Sequence, residues 1–327
     1  MLLGNCVRLR RVFFWVGVAL VLTMTLSVVG CGAKKDLVAK EILIATGART
    51  GSYFPVGEVI ARTLKEQFPT VHVQVLETDG SVQNMNLLQE GKANLALVQS
   101  DIANYAVQGK NMFIRAKVTG VTGLAPIFPE VVQLISRRAD NLTSIKALKG
   151  KKIGVGTQES GTFFNAQQIL AQAGMWDEVS RQNLQPAEAV SCLEKKSIDG
   201  FFFTAGLPNP AIAELSGRLD IALIPLPSGL VFELANMYPF YTGTTIPGGM
   251  YSGVAAGIPA LEINAILVAH QSLSQDDVAI ITKTLFGTGA LERLRKQHQQ
   301  LTGLTRESVR RTMSIPLNEG ARRALIE

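Results

Sequence analysis

An α/β fold in two lobes, the second inserted into a discontinuous first, is what this 327-residue chain predicts. Three features carry the prediction. Short β-branched runs alternate with glycine loops and helix-spaced apolar residues over about a hundred residues, the pattern of a doubly wound sheet. A second series of the same kind opens at residue 152. The text after Pro259 is mostly helical and can return to cover the first series.

The opening unit spans 42–64, ILIATGARTGSYFPVGEVIARTL. Ile42, Leu43 and Ile44 predict a strand, and Gly47 to Gly51 a loop. Pro55 suits a first helical turn, where its missing N–H would lack a partner anyway. Val56, Val59, Ile60 and Leu64 then recur at helical spacing. Residues 71–77 alternate as a strand, and Ser81 is placed to cap the helix after the Thr78-Asp79-Gly80 turn. NLALVQ at 94–99 reads as a buried strand, with Ser100-Asp101 capping the next helix.

A strand at 131–138 ends the first series. In the second, 152–157 and 198–203 read as strands, and 163–173, 186–195 and 211–215 as helices. Residues 220–226 form one more strand. The stretch 238–259, rich in Gly, Pro, Thr and Tyr, predicts an irregular crossover, and 265–270 returns to strand. The expected division is 41–139 with 255–327 for the first lobe and 140–254 for the second. Two crossing segments make a natural hinge, and a cleft between hinged lobes is a common ligand site. No fixed-period repeat is visible.

The N-terminus carries a different message. Arg8, Arg10 and Arg11 precede an apolar run at 12–26, and Val28-Val29-Gly30-Cys31 ends in small residues before a cysteine. A charged start, a greasy middle and a small-residue cut site describe a secretory signal over 1–30. An uncleaved membrane anchor is the other reading of that run. Residues 31–40 form a polar tether. Removing those three arginines from 32 basic residues leaves 29 against 26 acids, so the net charge falls from +6 to +3. No basic run interleaved with aromatics supports nucleic-acid binding. With Cys6 in the leader and Cys31 at the cut site, Cys192 remains alone and cannot pair internally. Its AVSCLEKK setting predicts a small buried core residue. His72, His270 and His298 share no metal-ligand spacing.

Five stretches resemble, in order, the TRAP-associated extracytoplasmic solute receptors of the TAXI family: TGARTGSYFPVGEVIA, ETDGSVQNMNLLQEGKANLALVQSDIA, ALKGKKIGVGTQESGT, IDGFFFTAGLPNPAI and IPGGMYSGV. The resemblance implies a two-lobed fold of the type II periplasmic-binding-protein kind. It implies capture of a small organic carboxylate (an amino acid such as glutamate or glutamine, a dicarboxylate or a 2-oxo acid) and delivery to a TRAP permease. No cofactor is implied, and a monomer is the default. The signal resembles a lipobox, which would make Cys31 the lipid anchor holding the receptor outside the cytoplasm.

Carried over position by position, the resemblance implies a ligand shell of Thr46, Gly47, Ser52 and Tyr53, then Gly80, Ser81 and Asn84, with Gln99 and Asp101. Ser160, Gly161 and Thr162 would face them, with Thr204, Ala205 and Gly206. Helix N-termini near Ser52, Ser81 and Thr162 would offer free N–H donors and hydroxyls to a carboxylate. Tyr53 and one or two of Phe201, Phe202 and Phe203 would wall the carbon chain. Arg49 stands where relatives commonly have a small residue, and either pairs with the ligand or points to solvent. Phe163 stands where many relatives carry a basic residue, which removes one anion partner. The serines also suit plain capping, and the glycines plain turns.

An exported NAD(P)-dependent enzyme is the main rival, since TGARTG follows a strand and Glu77 closes the next. Ser52 and Tyr53 stand where its last glycine belongs, and no tyrosine has a lysine four residues on. No G-x-S-x-G marks a serine hydrolase. A receptor for an ATP-driven importer, or a sensor, stays open.

Overall fold

The structure is a computed structural model that describes residues 36–326. The leader, Cys6, Cys31 and the tether up to residue 35 lie outside the described residues.

The first series runs β1 (Glu41–Ala45), α1 (Tyr53–Gln67), β2 (His72–Leu76), α2 (Ser81–Gln89), β3 (Leu95–Gln99), α3 (Ser100–Gln108) and the long β4 (Val121–Arg137). The second runs β5 (Lys152–Gly154), α4 (Gly161–Gln172), β6 (Ser180–Gln182), α5 (Pro186–Glu194), β7 (Gly200–Ala205), α6 (Pro210–Arg218), β8 (Ile221–Leu223), α7 (Ser228–Met237) and β9 (Thr242–Ile246). The long β10 (Ile258–His270) leads into α8 (Gln275–Phe286), α9 (Ala290–Arg295), α10 (Arg306–Val309) and α11 (Glu319–Ile326).

The described residues form one ten-stranded sheet in the order β2-β1-β3-β10-β4-β7-β5-β6, with β8 beside β4 and β9 beside β10. Strands β1, β2 and β3 are parallel, as are β5, β6 and β7. Between these groups lie β4 and β10, antiparallel to each other and shared by both halves. Strand β10 pairs with β9 over Ile258–Glu262 and with β3 over Ala265–Ala269. Strand β4 pairs with β7 from Val131 onward. The change of partner therefore falls inside the two long strands.

Strand β4 begins at Val121, earlier than the 131 read from sequence. Pro126 and Pro129 argue against a strand there, but Pro126 sits at the register shift between Ala265 and Ile266, and Pro129 pairs with Asn264 in regular register. The crossover at 238–259 contains β9, and α7 precedes it.

Period-2 alternation sorts each half of the sheet onto two apolar layers. Ile42, Ile44, Leu95 and Leu97 pack under α1 and α8, whereas Ala45, Ala96 and Val98 pack under α2 and α3. In the other half Phe202 joins Leu134 and Ile153 on one face, and Phe201 and Phe203 join Val131 and Ile135 on the opposite face. Cys192 is only half-buried, against this last layer. A fully buried Val, Leu, Ile or Phe side chain in these layers stabilises by about 1.5–3 kcal/mol. Among the described residues, no helix is long and apolar enough to cross a membrane.

Candidate functional site

The carboxyl ends of the parallel strands in both halves face one cavity, the usual ligand position in open α/β sheets. Gly47, Ser52 and Tyr53 line it after β1, Gly80 and Ser81 after β2, and Gln99 at the end of β3. Ser160, Gly161, Thr162 and Thr204 line it from the second half. Phe202 and Phe203 add apolar wall. The cavity is about 70 Å³.

That small volume reflects direct bonding between the halves. Gly206 N donates to Ser52 Oγ at 3.0 Å. The amides of Val82 and Gln83 both donate to Glu159 O, at 3.1 and 3.2 Å. Asn86 Nδ2 donates to Glu159 Oε2 at 3.3 Å, and Asn209 Nδ2 to Thr50 O at 3.3 Å. Gln185 Nε2 donates to Asp79 Oδ1. Gly161 packs so closely that an added Cβ would lie 2.0 Å from Gln99 Oε1. Gly80 holds φ +127° at the turn into α2, a conformation only glycine adopts readily, beside the Ser160 backbone.

The helix N-termini do not all stay open. Gly80, not Ser81, is the N-cap of α2, and the Ser81 hydroxyl instead accepts from Gln99 N at 3.0 Å. With Val82 and Gln83 committed to Glu159, that terminus is occupied by the protein itself. Ser160 does cap α4, accepting from Phe163 N at 3.2 Å. The amides of Gly161 and Thr162 keep no acceptor among the described residues, so α4 retains its anion-binding capacity.

Six residues named from sequence do not line the cavity. Thr46 and Asn84 are buried scaffold: Thr46 Oγ1 donates to Leu76 O at 2.6 Å, and Asn84 Nδ2 reaches Thr46 O and Leu97 O. Ala205 packs into an apolar layer, and Gly206 offers only its amide to Ser52. Arg49 turns outward, 2.9 Å from Glu77 Oε2 and stacked over Phe54.

Asp101 lies behind the cavity in a polar network that also joins the halves. Asn165 Nδ2 donates to Asp101 Oδ2 at 3.2 Å and to Tyr241 OH at 2.8 Å, while Asn165 Oδ1 accepts from Thr204 Oγ1 at 2.8 Å. Tyr241 OH donates to Gln168 Oε1, whose amide donates to Tyr105 OH at 3.0 Å. Burial pushes the Asp101 carboxyl up to about 7, against the opposing Ile102 and Asn165 hydrogen bonds.

Sequence reasoning passed over Glu130, Asp79 and Gln185, all cavity-lining. Glu130 is 2% exposed and accepts from Tyr53 OH at 2.6 Å. Burial pushes its carboxyl up to about 8, with the Tyr53 hydrogen bond opposing and the nearby Asp101 charge adding. The signal was present: Glu130 is the one charged residue between 121 and 136. Gln99 Oε1, Thr157 Oγ1 and Gln185 Oε1 are buried at the cavity without a hydrogen-bond partner. Among the described residues no group of three His, Cys, Asp or Glu side chains could hold a metal ion.

Residues 44–327 match the profile of the NMT1-like family. The chain belongs to the NMT1-like family. Among solved structures, a protein from Bordetella bronchiseptica RB50 superposes with a TM-score of 0.54 at 16% identity, over 89% of this chain and 98% of that one. A Xanthomonas citri protein bound to ATP gives 0.51 at 10% identity, over 88% and 95%. The periplasmic aliphatic sulphonate binding protein SsuA of Escherichia coli gives 0.48 at 12% identity, over 81% and 80%. The first two superpositions show that this NMT1-like chain shares the α/β fold of those proteins.

Proposed function

We propose that this NMT1-like chain is an extracytoplasmic solute receptor that closes around a small organic carboxylate and presents it to a TRAP-type permease. The supporting observation is the cavity itself, built from strand ends of both halves and sealed by hydrogen bonds between them. The free Gly161 and Thr162 amides suit a ligand carboxylate. Hydrogen bonds join the two halves beside the cavity, so separation of the lobes widens the way in. Binding thus proceeds from an opened state, with β4 and β10 as the hinge, and the solute shifts the population by its extra contacts in the closed state. The solute leaves unchanged, so the receptor needs no cofactor and is not an enzyme.

The TRAP-type partner rests on the ordered TAXI-like stretches. The leader and Cys31 support lipid anchoring outside the cytoplasm, near the permease. We assign residues 140–254 to the inserted lobe. Thermal-shift screening of the full chain against amino acids, dicarboxylates and 2-oxo acids tests this reading. Stabilisation by one of these solutes is expected, weakened by Ser81→Ala or Thr162→Ala without unfolding. Stabilisation by NAD(P) alone would favour the rival enzyme.

A further inference from the structure

The ionisable groups on the cavity wall are all acids. The ionisable lining side chains are Asp79, Glu130 and Tyr53, and no Lys, Arg or His is among the described residues that line it. The polar atoms left without partners are weighted the same way: the carbonyl oxygens of Gln99 and Gln185 can only accept. A buried acceptor without a donor costs about 1–3 kcal/mol, so an occupant that brings donors gains there. Backbone amides at α4 provide for one carboxylate, but a second carboxylate placed near Glu130 would find no Lys, Arg or His to pair with, whereas an ammonium finds a carboxyl.

We propose that Tyr53 and Glu130 form an ammonium subsite, so that the solute is a small amino acid and not a dicarboxylate or a 2-oxo acid. This deepens the receptor reading and rests on it. Tyr53 OH, 2.6 Å from Glu130 Oε2, fixes the carboxyl and leaves its other oxygen for the ligand. The titratable groups facing Glu130 are Tyr53, Asp101 and, across the cavity, Asp79. On β10 its neighbour is Ile263, with Glu262 one register position away. No cation competes for it among these. In the empty closed cavity the buried carboxyl holds its proton. An arriving ammonium replaces that proton with an ion pair, and the proton leaves to solvent.

The test uses calorimetry on the full chain with matched probes: glycine, L-alanine and L-glutamate against acetate, propionate, glutarate, pyruvate and 2-oxoglutarate. At least one amino acid should bind about tenfold or more tighter than its deaminated and 2-oxo counterparts, tenfold being 1.4 kcal/mol. Titration at about pH 7 in buffers of different ionisation heat should show about one proton released per site. Glu130→Gln, an isosteric change, should abolish the release and the preference, and Tyr53→Phe should reduce the preference. Tighter binding of the deaminated acids overturns the subsite and leaves the receptor reading standing, as does unchanged proton release in Glu130→Gln. Binding of none of the probes overturns both.

Discussion

Substituting Gly161 by alanine should prop the lobes open or crowd the cavity. A Cβ at this position would lie 2.0 Å from Gln99 Oε1 and 2.3 Å from its Cδ. Contacts below 3.0 Å essentially do not occur, so something must move by about 1 Å. Gln99 Oε1 ends a flexible side chain on the cavity wall, so either that side chain retreats into the space a solute would fill or the lobe boundary parts. Overpacking of this kind costs about 1–3 kcal/mol, and here the cost falls on the closed state alone. Solute affinity should drop by roughly 5- to 150-fold, as a lower population of the competent state requires. Each lobe keeps its own apolar layers, so far-UV circular dichroism should be unchanged. Calorimetry measures the affinity, and small-angle scattering with bound solute measures the opening. Adding Gln99→Ala removes the clashing atoms and should restore closure. Wild-type affinity in Gly161→Ala, or no recovery of closure in the double variant, would refute the reasoning.

Removing the Asn165 amide should be more damaging to the fold. Asn165→Leu strands Asp101, Tyr241 and Thr204 together, and thermal denaturation should report a loss of about 3–5 kcal/mol. Arg49→Ala should cost less than about 1 kcal/mol and leave solute affinity unchanged, because its ion pair with Glu77 is solvent-exposed and off the cavity. Stability should fall as pH rises from about 5 to 8. Folded Asp101 and Glu130 titrate near 7 and 8, above their unfolded values, so the native state binds the extra protons. Their contribution is complete below about pH 4 and is lost as each deprotonates. Asp101→Asn with Glu130→Gln should flatten this slope. Comparison with that variant cancels His270 and His298, whose lowered values act in the opposite sense. An equal slope in both proteins would contradict the assignment.

What the sequence made legible was the repeating local unit. Ile42 and Ile44 alternate, Val56, Val59, Ile60 and Leu64 follow at helical spacing, and the loops between them must lie at one end of a parallel sheet. That reasoning places Gly47, Ser52, Gly80 and Thr162 together without coordinates. It cannot say which face of a loop residue wins. Thr46 and Asn84 turned inward because the loop carbonyls needed donors, and Arg49 turned outward to reach Glu77 and Phe54. The commitment of the α2 N-terminus has a similar origin. Amide donors are visible as helix starts in the text, but the Glu159 carbonyl that occupies α2 comes from the other lobe. Glu130 was hidden because Pro126 and Pro129 disguised the strand that carries it.

Hydrogen exchange resolved to single amides, on the full chain with and without a saturating solute from the screen, bears most directly on capture in this cavity. The Gly161 and Thr162 amides, unpartnered in the empty protein, should gain protection when the solute is bound. Unchanged exchange at both, with protection confined to another surface, would contradict it.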